Sequence, residues 1–138
     1  MIDAIERTLE LDSPIDDVWR ALTDPAELSG WFGDTTELNP SVGSSGWFGW
    51  EAHGRFAVMV DEFDPPRRFV WRWSHQANTP LADSPETTRV EWTLEPRTGG
   101  GTRLHLRESG FTTTKHRQDN DGGWTAELAE LEAYLASG

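Results

Sequence analysis

The spacing of apolar side chains changes period three times along this chain, which limits the possible folds more than any other feature of the sequence. Residues Ile5 to Leu11 follow a period of two, typical of a half-buried strand. After Asp12-Ser13-Pro14 the spacing becomes helical, and the apolar face is Ile15, Val18, Trp19 and Leu22. Alternation then returns until about residue 110, and the end of the chain is helical again.

Residues that commonly begin helices predict two short helices directly after the first strand. Ser13 is expected to cap the first, with Pro14 as its first helical residue and Asp16 three residues after the cap. Asp24 and Pro25 repeat this arrangement at the start of the second helix. The apolar face of the second helix is Leu28, Trp31 and Phe32.

Six further strands and a long closing helix complete the predicted order. The strands are Gly33–Leu38, Trp47–Ala52, Gly54–Phe63, Arg68–His75, Thr88–Glu95 and Thr102–Glu108. The last two form a hairpin, because one register places apolar residues on one face and opposite charges on the other. The helix opens at Gly123-Trp124, and its apolar face is Trp124, Leu128, Leu131 and Leu135. An antiparallel sheet with its helices on one face is an α+β layout.

The composition excludes several classes of protein. The length predicts one domain over residues 1–138. The absence of cysteine rules out disulfides, thiolate metal sites and a cysteine nucleophile, and it fits a cytoplasmic location. A formal charge of −12 argues against a nucleic-acid partner. No apolar run is long enough for membrane insertion, and no signal peptide is recognised.

Eight tryptophans are more than the core of a chain of this length requires. Each has a large apolar surface and one N–H group that needs an acceptor when it is buried. They are spread along the chain, at Trp19, Trp31, Trp47, Trp50, Trp71, Trp73, Trp92 and Trp124. The sequence leaves two interpretations open, a filled aromatic core or the walls of a cavity, and does not settle which face carries Trp47 and Trp50.

Four segments resemble a known family: IERTLELDSPIDDVWRALTDPAELSGWF, FDPPRRFVWRW, TTRVEWTLEPRTGGGTRLHLRESGF and GGWTAELAELEAYL. They are similar to homologues of the activator of heat-shock-protein ATPase, within the START-like, birch-pollen-allergen-like (SRPBCC) superfamily. The resemblance covers essentially the whole chain. It implies a helix-grip fold, in which a curved antiparallel sheet wraps a long C-terminal helix around a cavity that often holds an apolar molecule. The family has no invariant catalytic set, so no catalytic residues are carried over.

We expect the ligand-binding residues to lie on the inner face of the sheet and on the last helix. They are Trp50, Phe56, Val58, Phe69, Trp71, Trp73, Trp92, Trp124, Leu128 and Leu131. In the alternative interpretation the same side chains simply fill the core. Trp19 and Trp31 are assigned to packing of the short helices.

Three polar residues are weak catalytic candidates. His75 has the strand parity of Trp71 and Trp73, and His53 and Glu51 lie close together on a neighbouring segment. An imidazole at the mouth of a cavity can act as an acid or base. The alternative is that both histidines lie on the surface at strand ends. The spacing of the four histidines fits no metal motif, so we predict no metal and no cofactor.

The predicted function is binding of a hydrophobic or aromatic small molecule between the sheet and the last helix, by a monomer or weak homodimer. One alternative is a small cyclase- or hydratase-type enzyme that uses the same cavity. Another is a co-chaperone-like stimulator of a heat-shock-protein ATPase, although this chain is too short to include the additional N-terminal docking domain of the full activator.

Overall fold

The computed structural model describes residues 2–137, in which seven strands and three α-helices follow the predicted order. The strands are β1 Ile5–Leu11, β2 Thr35–Glu37, β3 Ser45–Trp50, β4 Gly54–Asp64, β5 Arg68–Ser74, β6 Thr87–Pro96 and β7 Thr102–Ser109. The helices are α1 Ile15–Thr23, α2 Pro25–Leu28 and α3 Thr114–Ser137. A short 3₁₀ turn, Leu81–Asp83, interrupts the loop between β5 and β6.

All strands form one antiparallel sheet in the order β1-β7-β6-β5-β4-β3-β2. The predicted hairpin register is confirmed, with Trp92 opposite Leu106 on the buried face. On the outer face Glu91 is opposite Arg107, and their side chains form an ion pair at 3.3 Å. The sheet curves around α3, which is the α+β helix-grip arrangement expected from the sequence.

The first helix begins one residue later than predicted. Pro14, not Ser13, is its N-cap, because the backbone of Pro14 is extended and its carbonyl accepts the amides of Asp17 and Val18. The second helix begins as predicted. The Asp24 carboxylate accepts the N–H two residues further on at 2.9 Å, and proline occupies the first turn.

The closing helix begins at Thr114, well before the predicted start at Gly123. Thr113 caps it by accepting the amide three residues on, at 3.1 Å. Arg117 donates to two main-chain carbonyls just before β1, and Arg7 of β1 bonds to the middle of the helix. These first turns are held by polar contacts, so the spacing of apolar residues could not reveal them. No helix among the described residues is both long and apolar enough to cross a bilayer.

The core lies between the inner face of the sheet and α3, and Phe32 is at its centre. The rings of Phe48, Trp71, Trp73 and Trp124 have their centroids 5.1 to 5.7 Å from the Phe32 ring. The helix contributes its buried face, which is Trp124, Leu128 and Leu131. Contacts with this geometry between aromatic rings are favourable beyond the area they bury.

Trp47 and Trp50 lie on opposite faces of β3, as their odd separation on a strand requires. Trp50 points inward, with its ring 5.1 Å from Phe32. Trp47 is on the outer face, where the Arg55 guanidinium lies 4.0 Å from its ring centre. Strand β3 ends at Trp50 rather than Ala52, so the residues that follow form a turn.

Candidate functional site

A pocket of about 700 Å³ opens between α3 and the β3–β5 side of the sheet. This volume is within the range of small-molecule sites. Its walls come from the segment after α2, from strands β3 to β5 with their connections, and from α3. The described residues that line it are Phe32, Trp50, His53, Phe56, Trp73, Ser74, His75, Ala77, His116, Asp119, Asn120, Gly123, Trp124 and Glu127.

Five aromatic side chains form the apolar part of this pocket. Phe32 and Trp124 are stacked, with centroids 5.6 Å apart and planes inclined by 13°. Trp73 lies beside them at 6.0 Å from Trp124. Trp50 and Phe56 form the opposite part of the wall, at 5.7 Å from each other. Such surfaces suit an apolar or aromatic ligand.

Two of these walls are held from behind by Glu108, a fully buried carboxylate on β7. Trp73 Nε1 donates to Oε2 at 2.9 Å and Trp124 Nε1 to Oε1 at 2.7 Å. Thr88 Oγ1 donates to Oε2 at 2.5 Å, and Asn120 Nδ2 lies 3.1 Å from both oxygens. Buried carboxylates require partners of this kind. Glu108 therefore positions one wall from the sheet and one from the helix.

His75 follows β5 and lines the pocket, with only 8% of its side chain exposed. Its Nε2 is 2.6 Å from Thr88 Oγ1. Because the Thr88 hydroxyl donates to Glu108, this geometry assigns the hydrogen of the neutral ring to Nε2 and leaves Nδ1 as an acceptor. Burial lowers the pKa of His75; the charge of Glu108 opposes this shift and His116 adds to it. The ring is therefore neutral at pH 7.

Glu127 lies half-buried on the α3 side of the pocket. Trp50 Nε1 donates to its Oε1 at 3.2 Å. Burial raises the pKa of the Glu127 carboxyl, and the nearby Glu130 and Asp34 raise it further, while hydrogen bonds from Trp50 and the Gly33 N–H oppose the shift. A carboxyl that holds its proton more readily than a surface glutamate thus lies against an aromatic wall.

The ten residues predicted to bind a ligand fall into two groups. Those that line the pocket are Trp50, Phe56, Trp73 and Trp124. Those that lie buried in the core and do not line it are Val58, Phe69, Trp71, Trp92, Leu128 and Leu131. The interior that the sequence predicted is therefore filled along part of its length and open at one end.

Of the three catalytic candidates, the structure brings His75 and His53 to the pocket but not Glu51. His53 lies exposed in the β3–β4 turn and not on a strand. Glu51 is exposed in the same turn, and its amide bonds to Asp34. Within residues 2–137, no cluster of three or more histidine, aspartate or glutamate side chains is arranged to hold a metal ion.

Sequence reasoning missed Glu108 and Glu127. A signal for Glu108 was present, because it shares the strand parity of Leu104 and Leu106 and must therefore face the core. Glu127 is one helical turn after Trp124, on nearly the same side of α3. Its position at the pocket depends on where Trp50 lies, and the sequence left that open.

A curved antiparallel sheet around a long C-terminal helix, with a pocket between them, places the chain in the helix-grip class of START-like folds. Within that class it belongs to the family described as Activator of Hsp90 ATPase homolog 1-like protein, whose model matches residues 12–136. The resemblance predicted from the sequence is thus confirmed. None of the curated proteins is similar enough in sequence to count as a relative.

The solved structures that are similar to this chain include the following three. Protein MLL2253 from Mesorhizobium loti is 23% identical with a TM-score of 0.85, over 98% of both chains. DynU16, a putative protein in the dynemicin biosynthetic locus, is 25% identical with a TM-score of 0.84; the match covers 100% of this chain but 49% of DynU16. The Aha1 dimer from Colwellia psychrerythraea is 20% identical with a TM-score of 0.79, over 97% of this chain and 96% of that one.

Proposed function

We propose that this chain is a ligand-binding domain that holds an apolar or aromatic small molecule between the sheet and α3. The observation that carries the proposal is the open, aromatic-walled pocket of about 700 Å³. A filled core would leave no such space, and side chains in a close-packed interior leave few voids larger than a water molecule. The hydrogen bonds of Glu108 to Trp73 and Trp124 keep two of the walls in place without any ligand.

The likeness to DynU16, a putative protein in the dynemicin biosynthetic locus, supports the same proposal. Lipids and polyketides are the ligands that we propose to test first. We propose the cytoplasm as the location, and a monomer or a weak homodimer as the form that binds.

The proposal is tested by filling the pocket from the helix. Gly123 lines the pocket, and a Cβ added there meets no atom within 4 Å. Gly122 has the same open surroundings but does not line the pocket. Gly123→Phe should abolish binding, whereas Gly122→Phe should leave it intact.

Binding is measured by native mass spectrometry and by quenching of tryptophan fluorescence with a library of lipids and polyketides. If the wild-type protein neither retains nor binds any member of the library, the proposed function is wrong. Binding that survives equally in both glycine variants would show that the ligand occupies another place.

The hydrogen-bond chain His75–Thr88–Glu108 favours a second candidate, an enzyme of the cyclase or hydratase type. Burial keeps His75 neutral, and Thr88 holds its Nε2, so Nδ1 is available to accept a proton from a bound substrate. His75→Gln should then abolish turnover while ligand binding survives. Unchanged turnover in that variant would exclude His75 as the base.

A further inference from the structure

The pocket has an unbalanced charge. Its described lining includes two carboxylates, Asp119 and Glu127, and no lysine or arginine. Asp119 is exposed and pairs with Lys115 at 3.0 Å, so its charge is already compensated. Glu127 makes no ion pair with any basic side chain in the described part of the chain. Its charged neighbours, Glu130 and Asp34, are acidic.

The histidines of the pocket do not supply the missing positive charge beside Glu127. His75 is neutral because burial lowers its pKa. His116 lies against the Glu86 carboxylate rather than against Glu127. His53 is exposed in the β3–β4 turn and makes no ion pair with a described residue.

The aromatic walls of the pocket also attract positively charged groups. The face of an indole or phenyl ring carries partial negative charge and attracts cations, most strongly for tryptophan. Trp50 joins the two features, because its ring lines the pocket while its Nε1 donates to Glu127 at 3.2 Å. A ligand in the pocket therefore meets the aromatic lining and the Glu127 carboxyl together.

We propose that the pocket selects aromatic or apolar molecules that carry an ammonium group, with Glu127 as counter-ion and Trp50, Trp73 and Trp124 as an aromatic cage. This inference rests on the proposed function and narrows its ligand class. A cation beside Glu127 stabilises the carboxylate and removes the cost of leaving a half-buried charge without a partner. Uncharged ligands of the same shape gain the apolar contacts only.

The test compares two molecules of nearly the same shape, 4-hydroxyphenyltrimethylammonium and 4-tert-butylphenol. Both are titrated calorimetrically into the protein at pH 7.5 and low salt, where screening is weak. Because its ammonium group gains the Glu127 carboxylate as well as the aromatic rings, the ammonium compound should bind about tenfold tighter. In Glu127→Gln only the contacts with the rings remain, so the preference should fall below about threefold.

Two further variants complete the design. Glu127→Asp keeps the charge and should retain most of the preference. Glu132→Gln makes the same chemical change at an exposed position of α3 that does not line the pocket, and should change nothing. Measurement of the free energy of unfolding checks that each variant is folded. If Glu127→Gln does not fold, Glu127→Ala replaces it in the test.

Each outcome discriminates between the two proposals. Equal or tighter binding of 4-tert-butylphenol by the wild-type protein overturns the charge selection and leaves the proposed function intact. A preference that persists in Glu127→Gln overturns the assignment of Glu127. Binding of neither compound at millimolar concentration overturns the charge selection, and the lipid and polyketide library then decides the proposed function.

Discussion

The indole N–H groups of the interior are satisfied unevenly, and this separates the tryptophans by role. Those of Trp73 and Trp124 reach the Glu108 carboxylate. Those of Trp71 and Trp92 find no acceptor among the described residues. An unpaired buried donor costs about 1–3 kcal/mol, so the second pair contributes through apolar packing alone. Two walls of the pocket, Trp73 and Trp124, thus depend on one buried acid, whereas Trp71 and Trp92 of the filled core do not.

Substitution of Glu108 by glutamine should lower the free energy of unfolding by about 1–3 kcal/mol. Each carboxylate oxygen accepts one indole N–H, and the NH₂ group of glutamine can accept neither. In one orientation of the amide Trp124 loses its acceptor, and in the other Trp73 keeps only its bond to Thr88 Oγ1, at 3.1 Å. Urea unfolding measures the effect, and Glu95→Gln, at an exposed position of β6, is the matched control. Equal stability changes in the two variants would contradict this role of Glu108.

His75 should make the stability of the protein depend on pH. Burial lowers its pKa below the value of about 6.5 found in an unfolded chain, despite the charges of Glu108 and Glu86; His116 also faces the ring. As the pH falls below about 6.5, the unfolded chain binds the proton first. Above that pH the neutral ring contributes its full stability. Below it the contribution decreases steadily until the pH reaches the pKa of His75 in the folded protein.

The measurement is urea unfolding of the wild-type protein and of His75→Gln between pH 7.5 and pH 5. Between pH 6.5 and the folded pKa, the difference in unfolding free energy should shift in favour of the variant by up to about 1.4 kcal/mol per pH unit. A difference that does not vary with pH would show that the ring is not kept neutral by the fold.

The connection from α2 to β2 joins the filled core to the pocket. Phe32 enters the core, and Gly33 then turns the chain with a φ of +66°. A Cβ on Gly33 would lie 2.7 Å from the Gly49 carbonyl oxygen and 3.0 Å from Trp50 Cε2. Glycine is required here for two reasons, its backbone conformation and the close approach of β3.

Gly33→Ala and Gly43→Ala form a matched pair that separates these two reasons. Gly43 also has a positive φ, +85°, but a Cβ there meets nothing within 4 Å. Both variants lose about 1–2 kcal/mol of stability from the left-handed backbone. Gly33→Ala should lose at least about 1 kcal/mol more and should weaken ligand binding, because Trp50 is displaced. Urea unfolding and ligand titration measure the two effects; identical results for the two variants would contradict the role given to the contact with Trp50.

At the scale of the molecule, α3 divides the interior along its own length. Its apolar C-terminal half packs Leu128 and Leu131 into the filled core, while residues 116–127 border the pocket. The pocket is built from the connection after α2, from three strands and from α3, so it exists only when the sheet and the helix have come together. Ligand binding and folding are therefore linked.

A ligand that occupies this pocket should stabilise the folded protein by about 2.7 kcal/mol at a concentration of 100 times its Kd. The reason is that the ligand binds the folded state and not the unfolded chain. Thermal and urea unfolding with and without ligand measure the shift. Gly123→Phe should show no shift and Gly122→Phe a normal one, whereas a shift that survives in Gly123→Phe would place the ligand elsewhere.

The sequence by itself determined the order and type of the elements and the hairpin register, because these depend on alternation, helical spacing and caps within a few residues of each other. It also predicted that Trp71, Trp73, Trp92 and Trp124 share an interior, from strand parity for the first three and from helical spacing for Trp124. The early start of α3 escaped prediction, because Arg117 and Arg7 secure those turns by polar contacts between the two ends of the chain.

Only the tertiary structure decided which of those tryptophans fill the core and which line a pocket. The decision rests on Glu108, whose carboxylate holds indoles that are 35 and 16 residues away in the chain. The decision rests equally on Glu127, which accepts a hydrogen bond from Trp50, 77 residues away in the chain. Contacts over such separations are set by the packing of whole elements against each other, and no local pattern in the sequence encodes that packing.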